Sequence, residues 1–98
     1  MKVRFLKLAQ LEVDDAVSWY ESQSQGLGKK FLDDLDRTIR RIVAFPYASQ
    51  EIDSDFRRCL LSRFPYGVIY RIEEDSIIII AVAHLHRKPR YWIERLNK

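Results

Sequence analysis

The N-terminal part of the chain changes from alternating to helical spacing of its hydrophobic positions. Residues 2–8, KVRFLKL, alternate apolar and polar side chains, and this alternation predicts a first β-strand. From there the apolar residues Ala9, Val13, Ala16 and Tyr20 recur at helical spacing, with acidic side chains on the other faces. This spacing predicts a helix of about 14 residues that ends before the SQSQGLG segment.

A second helical stripe follows the two glycines of this segment. Phe31, Leu35, Ile39 and Ile42 lie on one side of the predicted helix, and charged residues occupy its other faces. The helix is expected to end near residue 45, because Pro46 disfavours helical geometry in the residue before it. Two helices joined by a short turn that contains glycine predict an antiparallel helical hairpin.

The C-terminal half of the chain has the alternation that is typical of strands. Residues 46–55 are polar and are expected to form a loop, and residues 56–62 are expected to form a strand. Residues 66–73 alternate clearly, whereas residues 76–83 are apolar on both faces and predict a central strand. The last ten residues, 89–98, are expected to form a final helical turn or two.

This order of elements, β-α-α-β-β-β with a short C-terminal helix, predicts an α+β fold. We expect an antiparallel sheet of about four strands, with the helical hairpin packed on one face. The chain of 98 residues shows no repeat or linker, so residues 1–98 are expected to form a single domain.

Composition narrows the class of partner only slightly. The formal net charge is +3, and the basic residues are spread evenly along the chain, which weakly favours an acidic partner. The single cysteine, Cys59, excludes an intrachain disulfide, suits a reducing compartment and is expected to be a small buried hydrophobe. Because the longest apolar run, Ile77 to Ala83, is too short to span a bilayer, we expect no membrane partner and a cytoplasmic location.

The densest cluster of basic and aromatic residues lies in the stretch AHLHRKPRYWIERL, residues 83–96. His84 and His86 could share one strand face and bind zinc, but no third ligand of suitable type is nearby in sequence, so we expect no metal and no cofactor. Cleavage of RNA without a metal needs a base, an acid and cations around the phosphate. Candidates of these types are His84, His86, Arg87, Lys88, Arg90 and Tyr91. The alternatives are a surface that binds an acidic partner and a merely solvated face.

The two aromatic residues of this cluster have different expected roles. Tyr91 and Trp92 could stack on nucleic acid bases. The position of Trp92 on the inward side of the predicted C-terminal helix favours packing against the sheet instead.

Several motifs in the same order and spacing resemble one known family. They are WYE…GLG..F within residues 16–35, the Phe45-Pro46 pair, FPYGVIYRI and the terminal AVAH..R.P.YW..R. Together they resemble the RelE/ParE superfamily of toxins from bacterial type II toxin-antitoxin modules, often called plasmid stabilisation proteins. The resemblance implies a helical hairpin on a small sheet, growth inhibition, and neutralisation by a cognate antitoxin.

The superfamily contains two modes of action, and the resemblance to the catalytic one is partial. RelE-like members cut mRNA on the ribosome with basic residues on three strands and a C-terminal tyrosine, whereas ParE-like members block DNA gyrase without this set. Arg58, Arg87 and Tyr91 match the RelE-like positions, but Gly67 stands where an arginine is expected. This difference favours the ParE-like, non-enzymatic mode.

Three hypotheses therefore remain: a gyrase inhibitor, a ribosome-dependent endoribonuclease, and a non-toxic relative that only binds a partner. For the ribonuclease, the candidate catalytic residues are His84, His86, Arg87 and Tyr91. Candidate residues for binding the target or the antitoxin are Arg58, Arg63, Arg87, Lys88, Arg90 and Trp92.

Overall fold

The computed structural model describes residues 1–96 of the chain. In chain order the elements are β1 (Lys2–Phe5), α1 (Lys7–Gln23), α2 (Leu27–Ala44), β2 (Gln50–Asp53), β3 (Phe56–Leu60), β4 (Tyr66–Glu73), β5 (Ser76–His84) and a 3₁₀ turn (Ile93–Leu96). The predicted α+β class and the helical segments are confirmed. The last two residues of the predicted C-terminal helix, 97 and 98, lie outside the described residues.

The sheet of the described residues has five strands in the order β1-β5-β4-β3-β2, which is one strand more than predicted. The additional strand is β2, within the segment expected to be a loop. It is an edge strand that pairs only with β3, and none of its residues is fully buried, so its sequence lacks a buried apolar face. The sheet is also mixed, because β1 runs parallel to β5 while the other pairs are antiparallel.

The boundary between β1 and α1 lies earlier than the sequence pattern indicated. The last backbone hydrogen bond between the N-terminal segment and β5 joins the Leu6 N–H to the Ile79 carbonyl at 3.0 Å. Helix α1 then begins at Lys7 and includes 17 residues. Lys7 and Leu8, which the alternation predicts to be part of the first strand, therefore form the start of the helix, where Leu8 is exposed.

Both helices pack on one face of the sheet and form the larger hydrophobic core there. The predicted apolar stripes are the buried faces of α1 and α2, and they contact alternate residues of β4 and β5. The buried members of this core are Ala9, Val13, Ala16, Phe31, Leu35, Ile42, Leu61, Val68, Tyr70, Ile77, Ile79 and Val82. Strand β5 lies between β1 and β4, as its apolar character on both faces predicted.

The C-terminal segment covers the opposite face of the sheet and forms a second, smaller core. Trp92 is only 4% exposed, and its ring centroid lies 4.9 Å from that of Phe56. A β-bulge adds to this core: Ile69 pairs with Ala81 while the next pair skips Ile80, so that both of these β5 residues are buried under Trp92. The prediction that Trp92 packs against the sheet is confirmed.

A carboxylate closes the turn between the two helices. Gly26 adopts a positive φ of 87°, which favours glycine. The side chain of Glu21 accepts hydrogen bonds from the backbone N–H groups of Gly26 at 2.9 Å and Gly28 at 3.0 Å. These bonds favour the ionised form, and they lower the pKa of Glu21 below its usual value.

A buried carboxylate on α2 holds the loop that connects β3 to β4. Asp34 is fully buried. Its oxygens accept hydrogen bonds from three successive backbone N–H groups, those of Ser62, Arg63 and Phe64, at 3.2, 2.8 and 3.2 Å. These bonds fix the loop on the end of the helical hairpin.

Within residues 1–96, neither helix combines the length and apolar character needed to cross a bilayer.

The lowered pKa of Glu21 predicts an acid-sensitive contribution to stability. A carboxylate whose pKa is lower in the folded state stabilises the protein above its unfolded-state pKa, and that contribution is lost as the pH falls through the folded-state value. We expect Glu21→Gln to reduce the free energy of unfolding at neutral pH and to have a smaller effect at about pH 3. Urea unfolding of both proteins at the two pH values measures this difference. An equal effect at both values would contradict the role of the Glu21 charge.

The burial of Trp92 predicts a large loss of stability when the side chain is removed. Trp92→Ala should lower the free energy of unfolding by about 3 kcal/mol, because it leaves a cavity in the smaller core. Leu85→Ala is the control, since Leu85 lies in the same C-terminal region but is 45% exposed. Thermal unfolding should separate the two variants, and equal unfolding midpoints would show that the second core contributes little.

Candidate functional site

The second face of the sheet contains a cavity that brings most of the predicted site residues together. Its volume is about 170 Å³, and it lies between β3, the end of β5 and the C-terminal segment. The predicted residues that line it are Arg58, His84, Arg87, Lys88, Arg90, Tyr91 and Trp92. The cavity is therefore rich in cations that are separated in the sequence by up to 32 positions but adjacent in the fold.

Arg58 lies directly over the glycine that replaces the expected arginine. A Cβ atom added to Gly67 would lie 3.1 Å from both Cγ and Cδ of Arg58. This spacing is tighter than ordinary van der Waals contact, so the aliphatic part of Arg58 packs against the bare backbone of β4. One arginine thus occupies the part of the sheet where RelE-like relatives are expected to have two.

The hydroxyl group of Tyr91 is engaged by an acidic residue on α1. Tyr91 donates a hydrogen bond to Glu12, and Arg95 donates two bonds of 2.9 Å to the same carboxylate. Burial raises the pKa of Tyr91, and the hydrogen bond and negative charge of Glu12 raise it further. Tyr91 therefore remains protonated at neutral pH, with its proton directed at Glu12.

Glu12 is the site residue that sequence reasoning missed. Besides Tyr91 and Arg95, it accepts a 3.0 Å hydrogen bond from the backbone N–H of Val82, while Arg95 also donates to the carbonyl of Ile80 at 2.9 Å. In the sequence, Glu12 is one of three acids, with Asp14 and Asp15, on the other faces of the first predicted helix. Only the hydrogen-bond donors that folding brings to Glu12 distinguish it from them.

The cations of the cavity differ in how firmly they are held. Arg87 stacks on Tyr91, with its guanidinium carbon 3.8 Å from the centre of the ring. Arg90 forms an ion pair with Asp53 at the end of β2. Both arginines are exposed, and Arg87 also lines a separate cleft of about 280 Å³ on the other side of the C-terminal segment, next to Trp19.

The two histidines contact each other at the end of β5. The ring of His84 lies 5.1 Å from that of His86 and 5.1 Å from that of Tyr66. The Nδ1 atom of His84 accepts a hydrogen bond from the backbone N–H of His86 at 3.1 Å. His84 lines the cavity, whereas His86 is exposed outside it. Among the described residues, no three groups of metal-binding type come together.

Arg63 and Cys59 lie apart from this cluster. Arg63 lines a different cleft beside α2, together with Lys30 and Arg37. Cys59 is half-buried against the larger core instead of fully buried as expected, and its Sγ lies 3.8 Å from a guanidinium nitrogen of Arg41. Of the predicted site residues, Arg63 and His86 therefore lie outside the cavity.

Comparisons with known proteins agree with this architecture. Residues 3–89 match the family model described as the ParE toxin of the type II toxin-antitoxin system, parDE. Among solved structures, a chain described as the chromosomal ParDE TA system from P. aeruginosa has the same fold, with a TM-score of 0.73. It is 19% identical, and the alignment covers 86% of this chain and 95% of that chain. No curated protein sequence matches the chain.

The fold and the family match together define a small domain of the RelE/ParE superfamily of toxins. Because the family model matches 87 of the 98 residues, the chain belongs to the ParE toxin family of type II toxin-antitoxin systems. The resemblance noted in the sequence is confirmed.

The network around Glu12 predicts a clear effect on stability. Glu12→Gln should lower the free energy of unfolding by about 2 kcal/mol, because hydrogen bonds to charged groups contribute more than neutral ones and Arg95 would lose its partner. Asp14→Asn is the matched control on the same helix, where the carboxylate is exposed. Urea unfolding measures both variants, and a loss of stability as large for Asp14→Asn would contradict a special role for Glu12.

Proposed function

We propose that this protein inhibits growth as the toxin of a type II module, that a cognate antitoxin neutralises it, and that its target is DNA gyrase. Membership of the ParE family supports the first two parts. The proposal also includes a cytoplasmic location, where such a target and antitoxin would be found.

The state of Tyr91 is the observation that favours gyrase inhibition over RNA cleavage. A catalytic tyrosine must exchange a proton with the substrate, and its pKa should lie near the working pH. Here burial and Glu12 raise the pKa of Tyr91, and its proton is directed at the Glu12 carboxylate. Gly67 further reduces the number of cations on the sheet that could stabilise a phosphate in the transition state.

The same cavity supports a second candidate, a ribosome-dependent endoribonuclease. The observation in its favour is that Arg58, His84, Arg87 and Lys88 line one cavity on the second face of the sheet. In this alternative His84 and His86 would supply acid-base groups, and the arginines would bind the phosphate. No metal or cofactor is needed in either mode.

The deciding experiment compares both targets in cells that express the protein without its antitoxin. We expect double-strand DNA damage with intact mRNA, and purified protein should inhibit DNA supercoiling by gyrase. Ribosome-dependent mRNA cuts without DNA damage would contradict the proposal and support the ribonuclease. Normal growth, with the protein expressed and folded, would support the non-toxic relative.

Removing the hydroxyl group of Tyr91 separates the two modes further. Tyr91→Phe keeps the ring on which Arg87 stacks, so we expect toxicity to be retained. If Tyr91 were an acid or base of a ribonuclease, the same change should reduce the rate of cleavage by about 10²-fold or more. Arg87→Ala is the comparison variant, since loss of this exposed cation should reduce toxicity in either mode. Growth curves after induction of each variant, at equal protein levels, provide the measurement.

A further inference from the structure

A cleft beside α1 is separate from the cavity on the second face of the sheet, but the two spaces meet at the C-terminal segment. The cleft has a volume of about 280 Å³ and lies between α1 and the end of the sheet where β4 begins and β5 ends. Among its lining residues are Asp15, Trp19, Tyr66, Val82, His84 and Arg87. His84 and Arg87 also line the cavity, so a ligand can extend from one space into the other.

Trp19 lines this cleft with an exposed indole ring. Its side chain is 59% exposed, whereas the next residue, Tyr20, packs on Phe31 in the larger core with the ring centroids 5.6 Å apart. Tryptophan is highly buried on average in folded proteins, so an indole with this exposure beside a cleft is unusual. It provides a ring on which a flat, unsaturated ligand can stack.

The rest of the wall is ordered before any ligand arrives. The ring of Tyr66 lies 5.0 Å from that of Phe31 in the larger core and 5.1 Å from that of His84. Val82 is buried, and its backbone N–H donates to the carboxylate of Glu12. A wall that is already fixed loses little entropy when a ligand binds, which favours affinity.

The charged side chains of the cleft have opposite signs. Asp15 is exposed and lies four residues before Trp19, so the two side chains are neighbours on one side of α1. Arg87 is also exposed, and its guanidinium carbon is held 3.8 Å from the centre of the Tyr91 ring. The cleft therefore offers a hydrogen-bond acceptor beside the indole and a cation where it meets the cavity.

His84 adds a neutral donor at the same junction. Its Nδ1 atom accepts the hydrogen bond from the backbone N–H of His86, so the neutral ring carries its proton on Nε2. The Nε2–H group can donate to an anionic oxygen. Together with Arg87 it makes the junction between the two spaces suitable for a phosphate group.

The chemistry of the cleft matches an unpaired nucleotide. The base can stack on Trp19, the amino group of an adenine or cytosine can donate to Asp15, and the phosphate can bind Arg87. An acidic protein segment is disfavoured by the charge of Asp15, and a basic segment by that of Arg87. A base that is paired within a duplex is not free to enter the cleft.

We propose that the cleft beside α1 binds one unpaired nucleotide of the target's nucleic acid, with its base stacked on Trp19 and its phosphate bound by Arg87. The phosphate of the next nucleotide then reaches the cavity that contains Arg58 and Lys88. The inference deepens the proposed function and rests on it, because gyrase acts on DNA. Since RNA offers the same chemistry, the experiment compares both nucleic acids.

The test uses short single-stranded oligoadenylates of DNA and of RNA, together with an abasic oligomer that has the same phosphates but no bases. Fluorescence anisotropy of the labelled oligomers at low salt measures the Kd of each folded, full-length protein. Trp19→Ala removes the stacking ring. Leu11→Ala is the matched control, because Leu11 is a 46% exposed apolar residue on the same helix, outside the cleft.

We expect Trp19→Ala to bind oligoadenylate at least about fivefold more weakly than wild type, because stacking of a base on an aromatic ring is lost. Leu11→Ala should bind within about twofold of wild type. All three proteins should bind the abasic oligomer equally, since its phosphates do not contact the indole. Tighter binding of the DNA oligomer assigns the nucleotide to DNA, and tighter binding of the RNA oligomer assigns it to RNA; either result supports the site.

Trp19 also gives a direct signal for occupation of the cleft. The chain has two tryptophans, and Trp92 is only 4% exposed, so quenching of the intrinsic fluorescence by an added oligomer reports on Trp19. We expect oligoadenylate to quench this fluorescence and the abasic oligomer to leave it unchanged.

Three results would overturn the inference. Equal affinity of the wild-type protein for the oligoadenylates and the abasic oligomer would show that only phosphates are recognised. Unchanged binding of oligoadenylate by Trp19→Ala would show that the indole does not contact the base. If Trp19→Ala weakens binding only to the antitoxin encoded beside the toxin, titrated in parallel, the surface docks a protein instead.

Failure of the proposed function gives a different result. If wild-type protein binds oligoadenylate through Trp19 but does not inhibit DNA supercoiling by gyrase, the proposed target is wrong and the nucleotide site is supported. If it inhibits gyrase but its binding to oligonucleotides does not depend on Trp19, the target is supported and the site is wrong.

Discussion

The hydrogen bonds and the ion pair of the Glu12 carboxylate join helix α1, on one face of the sheet, to the C-terminal segment on the other face. The rest of the structure depends on this connection. Strand β1 pairs with only the first part of β5, from Ser76 to Ile79, so within residues 1–96 no strand lies beside the rest of that edge. Glu12 occupies this edge from the helical side by binding the N–H of Val82, and Arg95 reaches it from the other side. One partly buried ion pair thereby joins α1, the sheet edge and the C-terminal segment.

This arrangement explains why the C-terminal segment is ordered although it contains many cations. Trp92 anchors the segment in the smaller core, and Tyr91 is held by Glu12. Arg87 and Lys88 project from this fixed base into solvent. The chain thus offers ordered positive charge at low entropic cost on binding, whichever macromolecule is the target.

Much of the fold was predictable because periodic burial is a local property of the sequence. The apolar stripes of α1 and α2 and the alternation of β4 identified these elements, and the apolar run of β5 correctly indicated a central strand. The edge strand β2 was missed because its residues are exposed or only half-buried, so burial imposes no apolar pattern on them. The parallel pairing of β1 was missed because strand period carries no information about direction.

Most residues that line the cavity on the second face of the sheet were predictable as candidates, but their contacts with distant residues were not. Basic and aromatic residue types near the C-terminus identified Arg87, Tyr91 and their neighbours, and motif order indicated the family. Only the tertiary structure decided that Glu12 binds Tyr91 and that Asp34 is buried beneath a loop 28 residues away, because a carboxylate acquires its role from the donors that folding brings to it. Local sequence determined which residues could become helix, strand or cation. The packing of distant segments determined which of their charges would be neutralised and which would remain available to a partner.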